Sequence, residues 1–104
     1  MTNIPDIHEK IKADFGAQAE EAFELIKAAI VGNGHLNDAR IIRCIIFLAD
    51  KKIEQLRSTI RKATIDPRDI MLWAEYIQSG PGDQTKRVRD FNKTFDQSEN
   101  DVRE

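Results

Sequence analysis

The sequence predicts an all-α, single-domain bundle of four or five helices around a central apolar helix at residues 39–49, and three observations predict it. Apolar residues recur at steps of three and four from Ile4 to Ile30, the spacing of one helical face. Ile41 to Ala49 is apolar at every position except Arg43. Asp66-Pro67-Arg68-Asp69 has the chemistry of a helix start: an N-cap acceptor, proline at the first helical position and an acidic group where the helix dipole favours it.

The first stripe runs through Ile4, Ile7, Ile11, Phe15, Ala19, Ala22, Ile26 and Ile30. Pro5 suits a first helical turn, where its missing N–H has no intrahelical partner to lose. Gly16 interrupts the segment chemically, but the apolar phase continues through it, so residues 5–31 read as one long helix or as two collinear ones. Gly32-Asn33-Gly34 ends them with C-cap chemistry, and Asn37 or Asp38 caps the next helix. In that helix the apolar arc covers roughly 200°, more than one neighbour can bury. Lys52 would fall inside the arc if the helix continued, so a break at 49–51 is expected, with Asp50 capping a fresh helix striped by Ile53, Leu56, Ile60 and Ala63. The consecutive pairs Ile41-Ile42 and Ile45-Ile46 also suit a buried strand, but Arg40, Arg43 and Asp50 at helical spacings favour the helix. After Asp66 the buried stripe is Ile70, Trp73, Ala74 and Ile77, stopped by Gly80-Pro81.

Composition shifts at Pro81. Among the last 24 residues 11 are charged, and Val88, Phe91 and Phe95 stand at helical spacing. The expected organisation is a helical core at 1–80, a C-terminal segment at 81–95 docked on it as a short helix or packed strap, and a disordered tail at 96–104.

At 104 residues, 40% hydrophobic and 33% charged, the chain falls in the ordinary globular class. A net charge of −2 argues against binding nucleic acid with the whole surface. Cys44 is the only cysteine, which excludes an internal disulfide and a multi-cysteine zinc site. No apolar run approaches the roughly 20 residues that cross a bilayer, and the start of the chain lacks the layout of a signal peptide. A cytoplasmic address and no membrane partner are expected.

Chemistry-bearing motifs are sparse. The Gly-x-Gly at 32–34 has neither the third glycine nor the lysine of a phosphate loop, and a C-cap followed by an N-cap explains it. His8 lies on the apolar stripe, His35 in a loop, and neither has a metal-binding motif, so no metal and no cofactor are assigned. Cys44 in the most apolar helix reads as packed and inert. Asp66 and Asp69 are helix-start electrostatics. Glu75 is placed on the water-facing side of its helix, and a small enzyme with a site near Glu75 and Tyr76, joined by His35, is the least favoured reading.

Charge is uneven. Residues 1–38 carry net −4 and residues 39–63 net +5. Lys51, Lys52, Arg61 and Lys62 are the candidate contacts for a nucleic-acid-binding alternative, although Asp69 and Glu75 weaken the following helix as a reading element. Apolar surplus is the stronger clue. Phe47 projects among Arg40, Arg43, Asp50 and Lys51, while Leu72 and Tyr76 form a second face on the Trp73 helix. Either the segment bearing Phe91 and Phe95 folds back over such groups or a second protein covers them.

The runs Arg40-Ile-Ile-Arg-Cys-Ile-Ile-Phe-Leu-Ala-Asp50, Asp66-Pro-Arg-Asp-Ile-Met-Leu-Trp-Ala-Glu-Tyr76 and Arg87-Val-Arg-Asp-Phe91 resemble small bacterial proteins of unassigned function, over residues 38–95. The resemblance brings no catalytic residues and implies that the C-terminal segment belongs to the fold. The expected function is a non-enzymatic interaction module of regulatory, adaptor or immunity type. It would bind a protein partner or a second copy through Phe47, Leu72, Tyr76, Phe91 and Phe95, rimmed by Arg40, Arg43 and Arg87.

Overall fold

The computed structural model describes residues 5–79, 84–87 and 90–95. Helix α1 (Pro5–Phe15) is followed by a 3-10 turn at Gly16–Gln18, and α2 (Ala19–Gly32) by a second one at Gly34–Leu36. Helices α3 (Ala39–Ala49), α4 (Ile53–Ile65) and α5 (Pro67–Glu75) come next, then strands β1 (Tyr76–Ser79) and β2 (Gln84–Arg87). The domain is all-α in its core, with one short antiparallel hairpin appended.

Helices α1 and α2 form neither one rod nor a collinear pair. A single rod would hold His8 and Phe23 about 22 Å apart at 1.5 Å per residue. Their ring centroids lie 4.8 Å apart, so the chain reverses and the two helices pair side by side. Gly16 permits this by adopting φ +51°, a left-handed conformation that costs a residue with a Cβ about 1–2 kcal/mol. Continuity of the apolar phase across Gly16 reflects two stripes facing one core: Ile7, Ile11 and Phe15 from α1, Ala22 and Ile26 from α2.

Helix α3 is the central element. Ile41, Ile42, Cys44, Ile45, Ile46 and Ala49 are all buried, and α1, α4 and α5 pack around it. Asp38 caps it by accepting from the N–H groups of Arg40 (2.8 Å) and Ile41 (3.4 Å). It ends at Ala49, inside the expected break. Asp50 does not cap α4, however. It closes α3 in the left-handed region (φ 53°), Lys51 follows at φ 67°, and Lys52 takes the N-cap position of α4. In α4 Ile53, Leu56 and Ala63 are buried and Ile60 is half-buried, with Thr59 donating its hydroxyl to the Gln55 carbonyl at 2.8 Å.

Helix α5 starts where expected, with Asp66 accepting from the Arg68 N–H at 3.0 Å and Pro67 in the first turn. Its end and its facing differ from expectation. It stops at Glu75, and Tyr76 turns into extended backbone (φ −119°, ψ 152°) to begin β1. Strand pairing sets Tyr76 opposite Arg87, Ile77 opposite Lys86, Gln78 opposite Thr85 and Ser79 opposite Gln84. The hairpin replaces the helical end expected up to residue 78, and strand β2 stands at the start of the short helix or docked segment expected near 84–95. Four positions separate the two strands in the sequence, a spacing that suits an antiparallel pair. The tail at 96–104, and Val88 within the C-terminal segment, lie outside the described residues.

Candidate functional site

Two arginines on successive turns of α3 organise the polar centre of the molecule. Arg40 forks onto Glu75, with Nε donating to Oε2 at 3.0 Å and Nη2 to Oε1 at 2.5 Å. Arg43 forks in the same way onto Asp6 of α1, Nε to Oδ2 at 3.0 Å and Nη2 to Oδ1 at 2.9 Å. Bidentate pairs of this kind combine charge with fixed geometry. The hydrogen bond to Glu75 raises the Arg40 pKa above its ordinary value, against the opposing effect of burial, so the guanidinium stays charged.

Each carboxylate then receives a backbone amide from the C-terminal segment. The Phe91 N–H donates to Glu75 Oε2 at 2.9 Å, and the Phe95 N–H donates to Asp6 Oδ2 at 3.1 Å. Arg43 Nη1 completes the set by donating to the Phe91 carbonyl at 3.0 Å. Between these anchors the segment makes its own turn: Asp90 accepts from Asn92 N–H through Oδ1 and from Lys93 N–H through its carbonyl, both at 3.1 Å. The Phe91 ring stands 5.5 Å from that of Phe47 and 5.7 Å from that of Phe95, and Lys10 Nζ lies 5.6 Å from the centre of the Phe95 ring.

This arrangement redistributes the residues singled out from sequence. Phe91 is fully buried and Phe95 nearly so, within the same chain, so they are not exposed anchors. Phe47 is half-buried because Phe91 covers it. Arg43 is buried and Arg40 partly so, each held by a carboxylate rather than standing on a charged rim. Arg87 sits in β2 opposite Tyr76, with its side chain outside the described residues. Glu75, placed by the helical wheel on the water side, has no exposed surface at all.

The ion pair to Arg40 accounts for the new facing of α5. Its buried arc runs through Ile70, Met71, Ala74 and Glu75, rotated about 80° from the expected stripe at 100° per residue. Trp73, expected in the core, is left 50% exposed beside Leu72 at 44%. Lys62 of α4 sets its Nζ 5.6 Å from the centre of the Trp73 ring. Ile65, three residues beyond Lys62 on the same side of α4, is 80% exposed. Trp73 and Leu72 of α5 and Ile65 of α4 are thus exposed apolar side chains, and Lys62 joins Trp73 to α4. An outward Leu72 agrees with the second face expected for it and Tyr76, whereas the exposure of Trp73 and Ile65 is not expected from the sequence.

The residues of the nucleic-acid alternative do not gather into one patch. Lys51 and Lys52 stand at the start of α4, Arg61 and Lys62 about 15 Å along the helix at 1.5 Å per residue. Arg57 between them is ion-paired with Glu21 of α2. For the enzyme alternative, Glu75 is engaged by Arg40 and Phe91, Tyr76 is half-buried, and His35 is exposed on the second 3-10 turn. Among the described residues no three His, Cys, Asp or Glu side chains gather as metal ligands. Comparison with family models, with curated proteins and with solved structures found no match to the chain.

Proposed function

We infer that this protein is a non-enzymatic helical interaction module whose docking surface is the α4–α5 edge, centred on Trp73. The observation that carries the reading is a half-exposed tryptophan beside an exposed leucine on one short helix, with a lysine ammonium over its ring. Tryptophan offers a large rigid contact area and is among the residue types that dominate binding energy at protein interfaces. Regulatory, adaptor and immunity-type roles all fall within this class. The setting inferred is cytoplasmic; a single cysteine, Cys44, buried in the core, agrees with it, and no helix among the described residues is long and apolar enough to cross a membrane.

The test compares wild type with Trp73→Glu, both immobilised as bait and both run in sedimentation velocity. A protein bound by wild type and lost by a folded Trp73→Glu variant supports the reading, as does self-association abolished by that change. Identical bound proteins and identical sedimentation for the two chains would overturn it.

A further inference from the structure

The C-terminal segment is seated on the helical core in the manner of a bound peptide. The groups that hold it are fixed by pairs that do not involve it: Glu75 by Arg40, and Asp6 by Arg43. Those pairs aim one carboxylate oxygen at each of two amides four residues apart, and a guanidinium N–H at the first residue's carbonyl. Phe47 supplies the wall for the aromatic ring at the first position. Asp90 closes the turn of the segment from within, and its charge also bears on Arg40 in the groove. The forked pairs of the groove and the internal bonds of the turn each hold part of the geometry locally, which lowers the ordering cost of bringing the two together.

We propose that this groove, formed by Asp6, Arg40, Arg43, Phe47 and Glu75, is a recognition site for a Phe-x-x-x-Phe segment, and that it takes the 90–95 segment of a second copy of the chain in exchange for its own. The fit of that occupant is the one displayed: an exchanged segment re-forms the same three backbone hydrogen bonds and the same ring contacts, so the two arrangements differ only in connectivity. Closure within one chain is favoured by an effective concentration in the millimolar range for a short connection, so the single-chain form prevails in dilute solution. Exchange prevails where closure is blocked. The proposal does not draw on Trp73 or Leu72 and stands apart from the docking surface inferred above.

Two full-length variants test it. Phe91→Ala/Phe95→Ala keeps the groove and loses the ligand; Asp6→Ala/Glu75→Ala keeps the ligand and loses the acceptors. Each alone is expected to sediment as a monomer, and an equimolar mixture to give a species of twice the mass. A mixture that remains monomeric, with both variants helical by circular dichroism, overturns exchange. If the acceptor variant does not fold, the second measurement uses the ligand-deficient variant and a synthetic peptide of residues 88–97. A melting temperature that rises and saturates with peptide supports the groove as a recognition site. No rise, or an equal rise with a peptide carrying alanine at both phenylalanine positions, overturns it. Loss of partner binding by Trp73→Glu with exchange intact would separate the two readings.

Discussion

Arg43 Nη1 donates to the carbonyl of Phe91 at 3.0 Å, joining the central helix to a segment 48 residues further along the chain. The same guanidinium carries the fork to Asp6, so one buried side chain ties the first helix, the third and the C-terminal segment. Truncating it strands a carboxylate and a carbonyl at once. Arg43→Met is expected to destabilise the domain by about 3 kcal/mol, the scale for breaking a buried pair from one side. Urea unfolding checks this, and an unchanged midpoint would refute the role assigned to the fork. Removing both charges in Asp6→Ala/Arg43→Met should cost less than the two single losses added together.

The exposed tryptophan makes the opposite prediction. Trp73→Ser removes surface that is already half in water, so stability should fall by no more than about 2 kcal/mol, the scale of the half that is covered. Thermal unfolding of the two chains would coincide within that margin. A loss of several kcal/mol would mean that Trp73 belongs to the core after all.

Backbone conformation gives two substitutions of opposite sign. Gly16→Ala meets open space, but φ +51° penalises it, so a loss of about 1 kcal/mol is expected from conformation alone. Lys51→Gly relieves a left-handed lysine at φ 67° and should stabilise by up to about 1 kcal/mol once glycine's added chain entropy is subtracted. Chemical denaturation of both variants tests the pair, and equal signs would contradict it.

Acid sensitivity enters at the start of α5. The Arg68 side chain, and then the Arg68 N–H, hold the Asp66 carboxyl below its ordinary pKa. A group with a depressed folded pKa stabilises above its unfolded value and loses that contribution as pH falls through the folded one. Asp66→Asn should therefore be less stable than wild type at pH 6, and the difference should shrink below about pH 4, the ordinary aspartate range. Because Arg68 is largely exposed, added salt should narrow the gap at pH 6 as well. A gap constant from pH 6 to pH 2 would rule the linkage out.

Elements with local causes were legible in the sequence. The α3 core, its break after Ala49 and the Asp66-Pro67 start each follow from residues within one or two turns. The need of Phe47 for cover is legible as well, because a wheel shows an aromatic ring in a polar arc, and Phe91 supplies that cover. The facing of α5 was not legible. Glu75 reads as solvated until Arg40, 35 residues away, is known to reach it, and inward rotation of Glu75 turns Trp73 outward. Nor was the reversal at Gly16: a glycine in a continuous stripe does not say whether it is helical or left-handed, and only the His8–Phe23 contact decides. Strand β1 escaped notice because Tyr76 to Ser79 alone is too short to show alternation.

Asp6 and Phe95 meet at 3.1 Å although 89 positions separate them, which bears on how the domain comes into being during synthesis. A nascent chain emerging from the ribosome can pair α1 with α2 early, but its polar centre stays open until the last phenylalanine has cleared the exit tunnel. Closure of so long a loop is slow compared with helix formation. A translational pause placed before that codon would hold an incomplete globule with Phe47 bared to chaperones.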